Sequence, residues 1–388
     1  MASFFLLFPV MPRYAAESGA GEAGVGAVTG ALLTTTVVAE LLAPRLVARF
    51  GHRLVFGTGL LLLGTPVLAL VNGAEPVVIV LVSAVRGLGF GIVVVLGSAL
   101  VALLVPAGRR GEGLGLYGLA AGAAGVTGMP AGVFVAERFG FAPVLIAGAL
   151  AAIAGVLAVA GLPGRAPGAT STADGARPAG PVAVTPDTAM ADTAMAGAAG
   201  LRTAGLVRPT LIFATGAMAA GVLITFLPLA VTGAAGGVVA LALLAQATVA
   251  MVCRWGAGWY ADRAAPGRLI LPGLAVAAAG VLSLALVGNP VAVIAGAALF
   301  GAGFGTCQSA VLVLMFQRVP RARYNTVSAL WNVSYDSGMG LGAVGFGVLV
   351  TGVGYPLGFV LLAGLVLLTL PAAWCERRAA ALVSQPGG

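Results

Sequence analysis

Apolar stretches of about 20 residues, separated by short breaks, recur along almost the whole chain of 388 residues. A helix needs about that length to cross a bilayer, whereas the strands of a membrane barrel are shorter and alternate in polarity. The composition agrees, because 60% of the residues are hydrophobic and 8% are charged, which leaves too little polar surface to coat a soluble globule. The sequence therefore predicts an all-α polytopic membrane protein.

The breaks divide the chain into twelve predicted membrane-spanning segments. The stretch 162–208 is rich in Pro, Ala, Gly, Thr and Asp, which predicts a disordered linker. We therefore expect two six-helix halves, 1–161 and 209–378, followed by a tail at 379–388. The segments are 3–14, 24–43, 54–71, 77–105, 113–136, 143–161, 209–231, 238–259, 269–287, 291–316, 326–350 and 356–374.

Arginine placement predicts the orientation of these segments. All 20 residues counted as Lys or Arg are Arg, and the formal net charge is +8. Sixteen of them follow even-numbered segments, including those in the linker and at the chain end, and such loops face the cytoplasm. We therefore expect a multi-pass protein of the inner (plasma) membrane, with linker, tail and both termini cytoplasmic. The arginines stand singly or in small groups between apolar runs, which argues against a nucleic-acid partner.

The two halves match at a constant offset of 214 residues. Pro76 corresponds to Pro290 and Arg49 to Arg263, while the sequence RGLGFG at 86–91 corresponds to FGAGFG at 300–305. Two parallel six-helix repeats are an architecture of secondary transporters.

The first segment is short, with about ten apolar residues before Pro12, where its counterpart before Pro228 has nearly 20. At 1.5 Å per residue such a helix spans roughly half of the hydrocarbon core. One hypothesis is that the native helix begins upstream of Met1. The alternative is a short, tilted or membrane-thinning first helix.

The loop after the eighth segment reads Gly258-Trp-Tyr-Ala-Asp262-Arg263, followed by Gly267-Arg268. It resembles the GxxxDRxGR signature of the major facilitator superfamily, with extra residues before the final Gly-Arg. The counterpart in the first half is degraded: it retains Arg49, Gly51 and Arg53, but Pro44 and Ala48 replace the Gly and the Asp. The resemblance implies a gating latch that steadies the outward-facing form, in which the Gly allows close helix approach. We group Arg254, at the end of the eighth segment, with this gating set.

Two further resemblances lie within segments. Arg86-Gly-Leu-Gly-Phe-Gly is similar to the second signature of the same superfamily. The fifth segment carries Gly128, Pro130 and Gly132, similar to the Gly/Pro signature of the 12-helix drug–proton antiporters. For these glycines the alternative interpretation is packing, since small residues let transmembrane helices approach closely. We expect Pro130 to kink its helix, either for gating or passively.

Four ionisable residues are predicted at membrane depth: Glu40, Arg86, Arg254 and Asp336. Such groups are costly in lipid and by default face protein or a wet cavity. Arg86, Asp336 and Glu40 are the candidates for proton coupling, with Arg86 as a switchable partner of Asp336. The alternative for all four is a structural ion pair or a capping role. Substrate-cavity candidates are the neighbouring polar side chains Asn332, Tyr335, Gln246 and Gln308.

The resemblance and the repeat together imply a monomeric alternating-access transporter, with protons, a small molecule and the lipid bilayer as partners. We expect proton-coupled efflux of a drug-like or secondary-metabolite molecule. Uptake of a sugar or other small metabolite, and a non-transporting receptor, are the alternatives. The single histidine, His52, lies in a basic loop, which argues against a metal centre and an enzyme. A chain without Lys has no complete P-loop, and we expect no cofactor.

Overall fold

The computed structural model describes residues 1–104, 110–159, 205–231, 237–261, 263, 265–320 and 324–383. Within these ranges the chain is a series of helices joined by short turns. In the first half they are α1 Ala2–Leu7, α2 Val10–Glu17, α3 Glu22–Phe50, α4 His52–Gly64 with the 3₁₀ helix Thr65–Leu70, α5 Pro76–Leu104, α6 Arg110–Phe139 and α7 Phe141–Val159. In the second they are α8 Val207–Ala230, α9 Val238–Ala261, α10 Gly267–Ser283, α11 Pro290–Gln317, α12 Tyr324–Leu367, which breaks at Gly354, and α13 Leu370–Val383.

The helices confirm the all-α membrane fold. Each predicted segment falls on a helix or on two consecutive helices of the described residues. Eight helical stretches there are long and apolar enough to cross a membrane. Several helices outrun their predicted segments, because polar residues extend a helix beyond the apolar part that marks it in the sequence. The second segment was predicted to end at 43, yet α3 continues to Phe50.

The helices alternate in direction, which gives the bundle two faces. We call the arginine-rich face the one at which α3, α5, α9 and α11 end. The opposite face carries the turns at 17–22, 70–76, 139–141 and 283–290.

The first predicted segment is broken into α1 and α2. Pro9 stands at the break, where the ring removes a backbone donor. Upstream of it, Phe4 stacks on Phe90 of α5 with the ring centres 3.5 Å apart. The short helix thus packs directly against the middle of a full-length one.

Glycine contacts reproduce the repeat in three dimensions. A Cβ atom on Gly87 of α5 would collide with the Leu32 carbonyl oxygen of α3, and one on Gly91 with that of Thr36. In the second half, Cβ atoms on Gly301 and Gly305 of α11 would collide with the carbonyl oxygens of Gln246 and Ala250 on α9. Every residue in the second set is 214 positions after its counterpart. The two halves therefore share one packing scheme, as the constant offset predicts.

The halves meet mainly along α3 and α12. A Cβ atom on Gly26 would collide with the Ala343 carbonyl oxygen, and one on Gly30 with the Val344 side chain. The hydroxyls of Thr29 and Thr225 add a hydrogen bond of 2.9 Å between α3 and α8. These contacts lie in the part of the bundle nearer the opposite face.

A polar chain joins the halves at the opposite face itself. The Arg13 guanidinium donates to Glu137 Oε1 at 2.8 Å and to Glu17 Oε1 at 3.1 Å. The second oxygen of Glu137 accepts from the backbone N–H of Gly237, at the start of α9, at 3.2 Å. Glu137 therefore links α2 and α6 of the first half to the second half.

Candidate functional site

Two carboxyl groups from different halves meet in the interior. Glu40 of α3 is 4% exposed and Asp336 of α12 is 7% exposed, and the two carboxyl groups lie close enough to act on each other electrostatically. Glu40, which the sequence predicts at membrane depth, is buried inside the bundle, and its helix continues for ten residues to Phe50.

This proximity has a chemical consequence. Two ionised carboxylates only accept hydrogen bonds and repel each other, so a proton on one of them stabilises the pair. Glu40 Oε2 has no hydrogen-bond partner among the described residues. The pair can therefore hold one proton at the junction of the two halves, and moving the halves apart would change the environment of that proton.

Arg86 of α5 is completely buried, and the structure does not bring it to Asp336. Its Nε donates to the Leu63 carbonyl oxygen at 3.2 Å, whereas Nη1 and Nη2 find no partner among the described residues. The switchable Arg86–Asp336 pair stays a prediction: it is not among the described contacts of this structure, in which Asp336 lies beside Glu40. Segment periodicity alone does not determine which residue of another helix Asp336 meets.

Tyr335 belongs to a cluster of stacked rings in the second half. Its ring centre lies 5.8 Å from that of Trp331, 5.9 Å from that of Phe213 and 6.2 Å from that of Phe304. The Trp331 and Tyr335 planes are 5° apart. We call these four residues the ring cluster. Trp331 and Tyr335 are half-buried, so part of the cluster borders open space.

Arg254 is exposed at the edge of the ring cluster. Its guanidinium carbon lies 5.8 Å from the Trp331 ring centre, and its backbone carbonyl accepts from Ser309 Oγ at 2.7 Å. Arg254 is the repeat counterpart of Glu40, 214 residues later. Both side chains reach α12, one at Trp331 and the other at Asp336.

The other predicted cavity residues surround this region less directly. Gln246 and Gln308 are buried, and Gln246 Oε1 has no partner in the described part of the chain. Asn332 is half-buried, one turn before Asp336 on α12. Phe213, Phe304 and Trp331 were missed by the sequence analysis. Trp331 had a signal, because it immediately precedes Asn332, which is one of the predicted cavity residues.

The loop signature is only partly described, since Asp262 lies outside the described residues. Arg263 folds back on its own helix: Nη1 donates to the Trp259 carbonyl oxygen at 2.9 Å and the guanidinium covers that ring at 4.0 Å. A Cβ atom on Gly258 would meet nothing nearer than 3.9 Å, so close helix approach does not require a glycine there in this conformation. This differs from the packing role implied by the signature.

The first-half counterpart of the loop has a clearer role for its glycine. Gly51 separates α3 from α4 with φ +80°, a backbone conformation that favours glycine. Arg49 covers its neighbour Phe50 at 5.2 Å, and Arg53 is exposed. Among the contacts described here, neither arginine bonds to a neighbouring helix end.

The Gly/Pro signature of α6 receives the first helix. Gly132 fits against the Leu6 carbonyl oxygen, and a Cβ atom on Gly128 would lie 3.1 Å from Phe5 Cβ. The helix runs from Arg110 to Phe139 without interruption at Pro130. These contacts support the packing interpretation of both glycines.

Comparison with known proteins defines the class. The family model of the Major Facilitator Superfamily matches residues 1–343, and the chain belongs to this family. No curated protein sequence matches it. The family and its fold indicate a transporter rather than an enzyme.

Solved structures share the fold at low sequence identity. A mutant of the nucleoside transporter NupG is 14% identical, with a TM-score of 0.75, over 97% of this chain and 96% of that chain. A bacterial homologue of the human lysosomal transporter Spinster, inward-facing and occupied, is 13% identical, with a TM-score of 0.74, over 100% and 96%. The inward-open xylose transporter XylE from E. coli is 13% identical, with a TM-score of 0.70, over 96% and 94%.

Proposed function

We propose that this transporter is a proton-coupled exporter of small, largely apolar molecules, and that the Glu40–Asp336 pair carries the proton. The contact between these two buried carboxyls across the halves is the observation that supports the proposal. Ionisable groups inside a membrane bundle are costly and are kept for function. In alternating access the halves move relative to each other, so their movement changes the environment of a proton that they share.

The ring cluster favours an apolar cargo. Its four aromatic rings stack on one another, and Trp331 and Tyr335, which precede Asp336 on the same helix, are partly exposed. A sugar site needs many hydrogen-bonding groups, which makes uptake of a sugar the second candidate. The arginine-rich face is the cytoplasmic one in this proposal, and the protein acts as a monomer in the plasma membrane.

Everted membrane vesicles test the coupling. The vesicles have an acidic interior and are given two fluorescent aromatic dyes, the cation ethidium and the anion fluorescein. We expect at least one of the dyes to accumulate inside. Glu40→Gln and Asp336→Asn should each abolish gradient-driven accumulation, down to vesicles without the protein, while dye exchange without a gradient persists. Glu17→Gln is the control, because Glu17 is an exposed carboxyl on α2.

The outcome also distinguishes the alternatives. Gradient-driven accumulation that survives in the double variant Glu40→Gln/Asp336→Asn overturns the carrier role of the pair. Accumulation only in right-side-out vesicles with an acidic exterior replaces export by proton-coupled uptake.

A further inference from the structure

Arg254 is a positive charge in the cleft without a negative partner. The ion pairs of the described residues involve Arg13 and Arg318, and Arg254 makes none of them. Its only described side-chain contact is the face of Trp331, at 5.8 Å. A guanidinium offers five donors in a planar fork that matches a carboxylate. An exposed, unpaired arginine beside an aromatic surface is therefore suited to a ligand with both an anionic group and a ring.

The aromatic surface under Arg254 is flat and partly open. Trp331 and Tyr335 lie in nearly parallel planes, and Phe213 stacks on Trp331 at 4.7 Å from the other part of the cluster. A ring stacked at this surface gains dispersion and offset-stacking energy.

The position of these residues places them in the path between the halves. Tyr335 precedes Asp336, whose carboxyl is touched by Glu40 from the first half. Both the Arg254 guanidinium and the Asp336 carboxyl act electrostatically on the Tyr335 hydroxyl. A ligand on Trp331 would therefore lie next to the carboxyl pair, on the surface that alternating access must cover and uncover.

The charges favour an anion over a cation. The place above the Trp331 ring where a cationic ligand would bind by cation–π attraction is already taken by Arg254, which would repel it. The two acidic groups are buried beside each other, and neither makes an ion pair with Arg254. A neutral sugar would leave the guanidinium unpaired.

From these observations we propose that Arg254 and the exposed part of the Trp331 ring form a binding subsite for a planar aromatic molecule with a carboxylate or similar anionic group. The proposal deepens the exporter hypothesis by naming the cargo class, and it rests on that hypothesis for its role in transport. Arg254 pairs with the anion, and the ring stacks on Trp331.

Single-tryptophan fluorescence tests the subsite without any proton gradient. The other tryptophans, Trp255, Trp259 and Trp374, are replaced by Phe, so that Trp331 is the only indole in the purified transporter. Para-nitrobenzoate, para-nitrobenzamide and para-nitrobenzylammonium are the probes, because nitroaromatic rings quench indole on contact. We expect saturable quenching by the carboxylate, with an affinity about tenfold higher than that of the amide, as for a charge-assisted pair worth about 1.4 kcal/mol.

Arginine variants then assign the charge. Arg254→Gln should bring the affinity for para-nitrobenzoate down to that for the amide, and Arg254→Lys should recover part of it. Arg263→Gln is the matched control, because Arg263 is also an exposed arginine that covers the aromatic side chain at position 259 near the end of α9, and it should change nothing. Unchanged thermal unfolding shows that Arg254→Gln is folded.

Three results would overturn the subsite: equal affinity for carboxylate and amide, tighter binding of the ammonium probe, or undiminished carboxylate binding in Arg254→Gln. The proposal separates cleanly from proton coupling. If Glu40→Gln and Asp336→Asn leave gradient-driven transport intact while para-nitrobenzoate still quenches Trp331, proton coupling by the pair is wrong and the subsite stands. If the two variants abolish coupling but para-nitrobenzoate does not bind, the subsite alone is wrong.

Discussion

Arg86 is the largest completely buried side chain of the described residues, and two of its three guanidinium nitrogens lack a partner there. An unpaired charge in an apolar interior lowers stability, since nothing replaces the water it has lost. Its counterpart in the second half is Phe300, which is equally buried and apolar. Arg86 therefore lowers stability at a position where its counterpart Phe300 does not. Such a cost is expected of a residue that is retained for function.

Substitution at these two positions should have opposite effects on stability. We expect Arg86→Met to raise the free energy of unfolding by about 1–3 kcal/mol, since it removes an unsatisfied buried cation, and to impair transport. Phe300→Met should lower it by about 1 kcal/mol or more, since it removes buried ring surface. Thermal unfolding in detergent measures both. A loss of stability in Arg86→Met would show that the guanidinium holds the helices together.

At the scale of helices, glycines set the spacing of α5 from α3 and of α11 from α9. The backbone of one helix touches the glycine of the next, as at Gly301 against Gln246. In lipid there is little hydrophobic force between helices, so such close van der Waals packing contributes much of the association energy. Other helical glycines, such as Gly364, meet no atom within 4 Å of the place where a Cβ atom would be.

Adding one methyl group distinguishes these two kinds of glycine. We expect Gly301→Ala to lower the free energy of unfolding by about 1–3 kcal/mol, because α11 must move away from α9. Gly364→Ala should change it by no more than about 0.5 kcal/mol. The comparison is made by thermal unfolding of both variants in one detergent. Similar values for the two would mean that the contact at Gly301 relaxes freely.

At the scale of the whole molecule, two described hydrogen bonds join the halves towards the opposite face. They are those of Thr29 with Thr225 and of the Gly237 backbone with Glu137. These bonds hold the halves together at that face, and the ion pair with Arg13 fixes the Glu137 carboxylate there.

Breaking the bond to Gly237 should shift the population towards opening of the opposite face. In a protein with Cys253, Cys307 and Cys375 replaced by Ala, a Val25→Cys probe is buried near that face. We expect Glu137→Ala to speed its labelling by an impermeant maleimide about fivefold, as for the loss of about 1 kcal/mol. Glu17→Ala is the control: Glu17 also binds Arg13, but within one helix. Equal labelling rates in the two variants would show that the bond between Glu137 and Gly237 does not hold the opposite face closed.

The prediction from sequence succeeded where the signal is local. Apolar length located the helices, and the fixed offset between Gly87 and Gly301 located the same contacts in both halves. It did not determine how the charged residues meet: Arg86 was predicted as a switchable partner of Asp336, whereas in this structure Asp336 lies beside Glu40. Helical spacing places a residue on its own helix, but a partner nearly 300 positions away depends on how two helices are rotated against each other.

The sequence by itself determined the membrane class, the helices, the repeat and the few ionisable residues at membrane depth. Each follows from the cost of polar groups in lipid, which acts on every segment separately. Only the tertiary structure decided that Glu40 meets Asp336, that Arg254 covers Trp331 and that Arg86 is left unpaired. Those contacts join separate helices, and in the case of Glu40 and Asp336 the two halves. They depend on how the helices pack, for example through glycine contacts between helix backbones, and the sequence of a single segment does not determine that packing.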